Sequence, residues 1–542
     1  MSPFRKIYNK IFYILHHIIE DRDYKKFKNL IKNRYQNTYV RKNSKEIILI
    51  DFFDYYPFII YWAEISNYLN NKYGFQLRYF YFYFHNSFFS KLNFFLKKRK
   101  EIYESFNCFE LINEIGKKID DNLKKKIIDY YKNQVSSKEE LLNYKIKDIL
   151  VGDLIYDTYL RTKDSRAKAT IENLNDPYLI NLVLRSHMIV DKFLEVFKNY
   201  NVKLLLPSHS SYIQYGISVR IATKNKVPVI FLYKKGLSGK KIYFLKKDDD
   251  QVYDNLPYYR FRETFNKMSF LDKKKALKIG DKLIKKRFSG EGDDYMRKFI
   301  VNPYKKNLKN NSIKLNDKKK FFIFAHCFFD TSHNFRSMIF VDLYEWIIQT
   351  IKIIKLTKNY EIYIKSHPFS KWGNKQILEK IIKIFPEVKL LNEDVSNHDI
   401  INSNPELILT VHGSVGHEFP VKKIAVLNAG DNQHINYNFN LHANNYEEYK
   451  DMILNITKYK KNIKFSYDEL SEFWYMRFFH YFRDEINPDA INDSSKIFKF
   501  NNQITNSSIN LKKNLIPNFE SIFKEINSSF KLFCQNELNN KF

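Results

Sequence analysis

The chain has 542 residues, which exceeds one typical domain and predicts about three folding units, or two large units with appendages. Hydrophobic residues make up 44% and charged residues 28%, a composition that fits a folded globular protein and excludes a disordered or fibrous one. The formal net charge of +31, from 91 Lys and Arg against 60 Asp and Glu, raises nucleic acid, an anionic membrane or a phosphorylated substrate as a partner. The excess charge is spread along the chain, without an Arg-rich arm, zinc-finger spacing or helix-turn-helix signature, which disfavours a dedicated nucleic-acid binder.

The cysteines Cys108, Cys327 and Cys534 are too few and too scattered for a disulfide framework or a zinc site. This pattern predicts a reducing environment and implies no metal cluster. The N-terminus lacks a secretory signal, and no uninterrupted apolar stretch approaches the roughly 18 residues of a membrane-spanning helix. We therefore expect a cytoplasmic protein that does not cross the membrane by its own signal.

The first 44 residues form a basic segment with 11 Lys and Arg against three acidic residues. Apolar residues recur in it at helical three-to-four spacing, namely Phe4, Ile7, Ile11, Leu15 and Ile18. We predict a basic amphipathic helical extension at 1–44. Such a helix can lie in the interface of the inner membrane, or it can pack on the protein with its basic face in solvent, and the sequence leaves both options open.

Residues 45–285 carry the alternating strand and helix patterns of a parallel α/β domain. The run EIILIDFF is strand-like, a helical period follows over about residues 58–71, and FQLRYFYFYF is strand-like again. Further strand-like runs occur in KDILVGDLIYDTYLR, KLLLPSH and VPVIFLY. We predict an N-terminal Rossmann-like domain here, followed by a basic, Asn-rich linker at 286–318.

A second alternating pattern begins at residue 319. The runs KKKFFIFAHCF, YEIYIKSHP, ELILTVHGS and KIAVLN are predicted strands, and FVDLYEWIIQTIKII and KQILEKIIKIF are predicted helices between them. The predicted fold class is therefore α/β with two Rossmann-like, doubly wound domains. The second domain spans 319–460, and a C-terminal helical segment follows at 461–542.

Polar residues follow three predicted strands of the second domain, at the sheet edge where parallel sheets bind their ligands. They are His326, Asp330, Ser332 and His333 after one strand, Lys365, Ser366 and His367 after another, and His412, Gly413, Ser414 and Glu418 after a third. Because the strands belong to one predicted sheet, we expect His326, His367 and His412 to share a pocket. We expect Asp330, Ser332 and His333 to face the cleft between the domains. A histidine there can donate to a phosphate or, as a cation, stabilise a leaving nucleotide, although lone histidines are more often structural.

The turn at Gly413 and Ser414 is predicted to open a helix. Backbone N–H groups and the positive end of the helix dipole would then form an anion site, with Ser414 as both helix cap and phosphate ligand. Glu418, one turn further on, is predicted to accept hydrogen bonds from a ribose. The alternative is that Ser414 merely caps the helix and that Glu418 is a surface residue.

A strand ending in His367 and Pro368, followed by a strand ending in Gly413 and Ser414 with Glu418 beyond, resembles the C-terminal half of bacterial capsule polysaccharide biosynthesis glycosyltransferases. The pattern is more distantly similar to Kdo transferases and to CDP-glycerol glycerophosphotransferases. The resemblance covers about residues 319–445, and it is weaker in VGDLIYDTYLR and SHSSYIQYGISVRIA.

This resemblance implies a GT-B fold, in which two Rossmann-like domains face a central cleft. It implies that the C-terminal domain holds a nucleotide sugar as co-substrate, CMP- or CDP-linked by preference and UDP-linked as a further option, while the N-terminal domain binds the acceptor. Such enzymes usually need neither a catalytic metal nor another cofactor. Carried over by position, His367 and Ser414 contact the donor phosphate and Glu418 the ribose. The donor site is completed by His326, Lys365, Ser366, His412 and Gly413.

The acceptor side of an inverting enzyme needs a general base that takes a proton from a sugar hydroxyl. Asp153 is the first candidate because it follows the predicted strand ILVG, and Asp157 and His209 are reserves. The structural alternatives are a helix cap for Asp153 and a salt bridge with Arg161 for Asp157. A retaining enzyme would need no such base.

Taken with these patterns, the resemblance implies a metal-independent glycosyltransferase that moves a sugar to a surface polysaccharide or lipid-linked acceptor in capsule or lipopolysaccharide synthesis. Its expected partners are a nucleotide-sugar donor, a glycan or lipid-linked acceptor and the inner-membrane surface, and no nucleic acid. A peripheral position on the inner membrane is one option for this cytoplasmic protein. The alternatives are a nucleotide-sugar epimerase on the same fold and a basic nucleic-acid-binding protein.

Overall fold

The computed structural model describes most of the chain between residues 44 and 480. The described residues are 28, 29, 31–33, 35, 44–53, 56–82, 100–113, 119–161, 169–231, 243–244, 257–290, 303–304, 313, 316–333, 337–367, 374–392 and 395–480. Most of the predicted basic extension, much of the predicted linker and the tail beyond residue 480 lie outside these residues. No helix among the described residues is long and apolar enough to cross a membrane.

The N-terminal unit alternates strands and helices. Its elements are β1 (Glu46–Asp51), α1 (Tyr56–Tyr73), β2 (Gln76–Tyr81), β3 (Cys108–Asn113), α2 (Asp121–Gln134), α3 (Lys138–Leu142), β4 (Lys145–Ile146), β5 (Ile149–Leu150), α4 (Gly152–Arg161), α5 (Pro177–Asn199), β6 (Asn201–Leu206), α6 (Ile213–Lys224), β7 (Ile230–Phe231) and β8 (Tyr243–Phe244). Four strands form a parallel sheet in the order β3-β2-β1-β6, which a bridge from Leu205 to Val229 extends. Residues 47–50 of β1 are fully buried, as expected where helices cover both faces of a parallel sheet.

The run ILVG was predicted as a strand of this sheet, and that prediction is wrong. Its first two residues form β5, which pairs antiparallel with β4 in a small hairpin. Lys147 (φ 49°) and Asp148 (φ 63°) adopt left-handed conformations at its two-residue turn, as this type of hairpin requires. Helix α4 begins at Gly152, where a Cβ would lie 1.7 Å from the carbonyl oxygen of Leu141, so that only glycine fits.

The C-terminal unit begins with helices and continues as a second alternating pattern. Its elements are a 3-10 turn (Pro257–Arg260), α7 (Phe261–Asn266), α8 (Phe270–Phe288), β9 (Lys319–Phe324), α9 (Leu343–Ile354), β10 (Tyr360–Lys365), α10 (Asn374–Ile384), β11 (Lys389–Leu391), α11 (Asn397–Asn402), β12 (Leu407–Thr410), α12 (Val415–Glu418), a 3-10 turn (Phe419–Lys422), β13 (Val426–Asn428), β14 (Leu441–His442), α13 (Tyr446–Leu454), α14 (Ile456–Lys460), α15 (Tyr467–Tyr475) and a π-helical turn (Met476–His480).

The second sheet is parallel, with the strand order β11-β10-β9-β12-β13-β14. Numbered along the chain within this sheet, the order is 3-2-1-4-5-6, which is the order of dinucleotide-binding Rossmann folds. The predicted fold class, α/β with two Rossmann-like doubly wound units, is confirmed. The strand order reverses between β9 and β12 in this sheet and between β1 and β6 in the first.

Helices α7 and α8 pack on the C-terminal unit. Their buried side chains share one hydrophobic cluster with α15, and Gly280 of α8 lies so close to α15 that a Cβ would stand 1.9 Å from the carbonyl oxygen of Ser471. The predicted domain boundary placed residues up to 285, and with them most of α8, in the N-terminal unit. The structure shows that α8 contributes its apolar face to the core beside α15.

Candidate active site

The switch point of the C-terminal sheet is built around His326, which follows β9, and Thr410, which ends β12. The His326 Nε2 accepts hydrogen bonds from the Val411 N–H (3.1 Å) and from the Thr410 hydroxyl (3.0 Å). The Thr410 oxygen in turn accepts the Gly413 N–H at 3.1 Å. Because Nε2 accepts, the hydrogen of the neutral ring is on Nδ1. His326 thereby fixes the β12 loop to the end of β9.

Three loops bring the predicted histidines together. The rings of His326 and His412 lie 4.3 Å apart between centroids, and His367 is close enough to lower the pKa of both electrostatically. Burial is the larger cause, and it lowers the pKa of His412 to about 4 and that of His326 well below its usual value. Both are therefore neutral near pH 7, which favours hydrogen-bond donation, the first of the two predicted roles, over the cationic role. No group of ligand-type side chains in the described part of the chain is arranged to hold a metal ion.

The Gly413–Ser414 turn opens a helix with Ser414 at the N-cap position, as predicted, but the side chain of Ser414 does not cap it. Ser414 has helical dihedrals (φ −61°, ψ −22°), its side chain makes no capping hydrogen bond, and it is exposed. Helix α12 has four residues, so its dipole contributes little. The N–H groups of Ser414 and Val415 have no partner among the described residues, and they remain the donors of this turn.

Glu418 is buried in a polar network behind this turn. Its Oε1 accepts from the Arg287 Nη2 (2.8 Å) and Nε (3.1 Å), and its Oε2 accepts from the Tyr304 hydroxyl (3.0 Å). Burial alone would raise the pKa of Glu418, but the Arg287 guanidinium lowers it below its usual value. Both oxygens are held by protein donors here, which corrects the surface-residue alternative, and the ribose role of Glu418 stays a prediction.

Lys365 and Ser366 also form hydrogen bonds to other parts of the protein. The Lys365 ammonium donates to the Val395 carbonyl and to Asn397 Oδ1, both at 2.6 Å, and the Ser366 N–H donates to the Leu391 carbonyl at 3.2 Å. The two residues thus hold the end of β10 in place behind the histidines.

The switch point of the N-terminal sheet carries a second polar cluster. Asp51 ends β1, and its Oδ2 accepts both the N–H (3.1 Å) and the hydroxyl of Ser208, which follows β6. The Ser208 oxygen lies 3.0 Å from Nδ1 of His209. Burial raises the pKa of Asp51 to about 7, although the hydrogen bonds from Ser208 oppose the shift. His209 is half-buried, with its ring 5.3 Å from that of Phe53 and 5.2 Å from that of Tyr215.

Asp153 and Asp157, the other candidate bases, form buried ion pairs. Asp153 binds the Arg220 guanidinium through both oxygens at 2.5 Å, and it lies inside the first turn of α4 instead of capping it. Asp157 accepts from the His333 ring at 2.7 Å, whereas Arg161, its predicted partner, contacts Asp330.

The two switch points border the same interface, which α4 and the loop after β9 form. The Tyr156 hydroxyl donates to Asp342 at 2.6 Å, while Arg161 and the Tyr212 hydroxyl contact Asp330 at 3.3 and 3.4 Å. Tyr212 carries a positive φ of 64°, an unusual conformation that tends to occur at functional sites. Asp330 lies on the loop that begins with His326, and Tyr212 follows His209 within a few residues. The contacts therefore bring the two carboxyl edges to one interface.

Sequence reasoning missed four residues that organise these sites: Asp51, Ser208, Thr410 and Arg287. Asp51 and Thr410 end strands, and Ser208 follows one, so the rule that found the histidines could have found them. Arg287 carries no such signal, because it lies in a helix 131 positions before Glu418.

No protein-family model matches the chain, and no curated protein does. Solved structures that share features with it include S. aureus MnaA in a co-structure with UDP (14% identity, 60% of this chain and 91% of that chain, TM-score 0.26). Others are the Methanocaldococcus jannaschii UDP-GlcNAc 2-epimerase with UDP-GlcNAc and UDP (13%, 84% and 99%, 0.25) and the Neisseria meningitidis UDP-GlcNAc 2-epimerase with UDP-GlcNAc (10%, 85% and 100%, 0.23).

Proposed function

We propose that the chain is a glycosyltransferase that binds a nucleotide sugar at the β9/β12 switch point and its acceptor at the β1/β6 switch point. The observation that carries the proposal is the meeting of two such switch points, each with a polar cluster, at one interface. Ligands of open parallel sheets bind beyond the carboxyl ends of the strands at these points. An interface with two of them suits a reaction between two bound molecules.

The donor side offers hydrogen-bond donors that are fixed before a ligand arrives. His326 fixes the β12 loop by accepting from Val411 and Thr410, and the exposed turn of that loop carries the N–H groups of Ser414 and Val415. Donors that need no reorganisation are effective at stabilising charge on a leaving phosphate. With the sequence resemblance, this favours a CMP- or CDP-linked sugar, with UDP as a further option and no metal or other cofactor.

Among the candidate bases on the acceptor side, His209 fits the role best. The carboxylates of Asp153 and Asp157 are committed to buried ion pairs with Arg220 and His333. His209 is half-buried at the carboxyl edge of the sheet, where an acceptor would bind. An imidazole is also the side chain whose ordinary pKa is nearest to neutral pH.

A direct assay separates transfer from its main alternative. The purified protein is incubated with radiolabelled nucleotide sugars, with and without a detergent extract of lipid-linked glycans from the source cell, and free nucleotide and sugar products are measured. If the protein is a transferase, nucleotide is released only when the extract is present, and the radiolabelled sugar is found in the glycan. A nucleotide-sugar epimerase, which the acid–base groups around His209 would also serve, predicts a new nucleotide sugar without any acceptor. That second result would refute transfer.

We also propose that the acceptor is met at the inner-membrane surface in capsule or lipopolysaccharide synthesis. An open cavity of about 540 Å³ lies at the amino ends of β1, β2 and β6, the opposite sheet edge from His209, so it would hold the protein on the membrane without binding the acceptor itself. Lys45, Arg78 and Lys198 line it. Lys45 and Lys198 form no ion pair within the described residues, so their charges are available to anionic headgroups.

Vesicle sedimentation tests this membrane proposal. The protein should sediment with phosphatidylglycerol vesicles at low salt and stay in solution with phosphatidylcholine. The double variant Lys45→Gln/Lys198→Gln should bind about thirtyfold more weakly, since each cation near the surface contributes about 1 kcal/mol. Lys124→Gln/Lys125→Gln, on the exposed face of α2, is the matched control. If both double variants lose the same amount of vesicle binding, the binding depends on net charge alone. If the unmodified protein does not bind the phosphatidylglycerol vesicles, the proposal is refuted.

A further inference from the structure

We infer that Asp51, Ser208 and His209 form a proton relay that makes His209 the general base for a sugar hydroxyl. The inference rests on the proposed function, since the hydroxyl belongs to the acceptor of that reaction. It adds two positioning residues, Asp51 and Ser208, which set the tautomer and the basicity of His209.

Above about pH 7, where Asp51 is ionised, the hydrogen-bond directions fix this tautomer. The ionised carboxylate has no hydrogen to give, and its Oδ2 accepts both the N–H and the hydroxyl hydrogen of Ser208. The Ser208 oxygen therefore has only lone pairs to offer to His209 Nδ1, 3.0 Å away. Nδ1 must donate, which makes Nε2 the basic nitrogen of the neutral ring.

The order of the three residues distinguishes this cluster from a nucleophilic triad. In a serine nucleophile triad the histidine stands between serine and carboxylate and accepts the serine proton. Here Ser208 lies between His209 and Asp51, and its hydroxyl hydrogen is donated to Asp51. Ser208 is therefore not activated as a nucleophile. When Nε2 gains a proton, the charge on His209 is stabilised through Ser208 by the Asp51 carboxylate, as a buried negative charge stabilises a nearby cation.

The bonding changes in the proposed step balance. The acceptor O–H bond breaks, and its proton goes to His209 Nε2. The oxygen electron pair forms the new bond to the anomeric carbon of the donor sugar. The bond from that carbon to the donor phosphate oxygen breaks, and its electron pair leaves with the nucleotide. A single displacement of this kind inverts the configuration at the anomeric carbon.

The surrounding structure holds the relay in place. Strand pairing sets β1 beside β6, and the Tyr103 hydroxyl donates to the Asp51 carbonyl at 3.2 Å. The ring of His209 packs against Phe53 and Tyr215. Burial raises the pKa of Tyr215, with the Asp51 charge adding to the effect, so Tyr215 stays neutral across the working pH range.

The first test uses a chemical readout that does not depend on the reaction. Diethyl pyrocarbonate acylates unprotonated histidine, and mass spectrometry follows its rate at His209 as a function of pH in the full-length protein. Asp51→Asn removes the negative charge that stabilises protonated His209, and Ser208→Ala removes the hydrogen bond that keeps Asp51 ionised and links it to His209. Both variants should therefore move the midpoint at His209 to lower pH by about one unit, while Ser208→Thr and the control Ser211→Ala should leave it unchanged. An unchanged midpoint in both Asp51→Asn and Ser208→Ala would overturn the relay.

The second test follows the transfer activity. His209→Gln should lower kcat at least about 100-fold with little change in KM for the donor, the usual scale of general base catalysis. Ser208→Ala should lower kcat less and move the acidic limb of its pH profile to lower pH, and Ser208→Thr should restore both. A shifted acylation midpoint in a protein without transferase activity would leave the relay standing and refute the proposed function. Circular dichroism of each variant shows that the fold is intact, and Ser208→Ala carries the test if Asp51→Asn does not fold.

Discussion

Buried histidines at the interface differ in charge because their neighbours differ. His326 accepts hydrogen bonds at Nε2 from neutral groups, and burial keeps it uncharged. His333 lies beside the Asp157 carboxylate, and its Nε2 donates to the Val341 carbonyl. Burial by itself would lower the pKa of His333, but the Asp157 carboxylate has the larger net effect with its hydrogen bond and raises this pKa to about 9. His333 is thus a buried cation that joins the loop after β9 to α4.

The Asp157–His333 pair predicts a pH dependence of stability. Since the pKa of His333 rises from 6.5 to about 9 on folding, its stabilisation is present in full below pH 6.5 and is lost as the pH rises through about 9. Urea unfolding between pH 6.5 and 9.5 should therefore show a falling free energy of unfolding. The double variant Asp157→Asn/His333→Gln is the control, and an equal slope in both proteins would show that the pair is not the cause.

At the scale of elements, the sequence was informative wherever apolar runs had strand length and ended in polar residues. The runs at β1, β6, β9, β10 and β12 were predicted from this pattern, and their ends carry the two clusters. The prediction that ILVG is a strand of the parallel sheet was wrong because left-handed conformations at Lys147 and Asp148 close a hairpin there. The β-propensity of the run does not indicate such a turn. The histidine cluster was foreseeable because its members follow neighbouring strands of one sheet.

The parts of the site that could not be foreseen depend on contacts between distant segments. Glu418 is held by Arg287 from α8 and by Tyr304, and no local pattern links these positions. The pairing of Asp153 with Arg220 likewise depends on how α4 packs against α6. The spacing of apolar residues along the chain shows which residues end a strand. Hydrogen-bond and ion-pair partners within the core depend on how the helices pack, and hydrophobic periodicity does not predict this packing.

At the scale of the whole molecule, the central feature is the placement of two switch points on one interface. Contacts from Tyr156, Arg161 and Tyr212 to the loop after β9 hold the units together there. The excess positive charge of +31 is spread over the chain, so it can attract anionic ligands without defining a site. The proposed transfer reaction requires a nucleotide bound between β9 and β12.

A thermal-shift measurement tests that claim most directly, since a ligand that binds the native state alone raises the melting temperature. The full-length protein is measured with CMP, CDP, UDP, GDP and single-stranded DNA, together with His412→Ala and Ser414→Ala and with Ser136→Ala as an exposed control in the N-terminal unit. We expect stabilisation by one nucleotide, about 2.7 kcal/mol at a hundredfold excess over Kd, reduced in His412→Ala and Ser414→Ala but kept in Ser136→Ala. Stabilisation by DNA alone that fades with salt, without a response to any nucleotide, would contradict it and support the nucleic-acid-binding alternative.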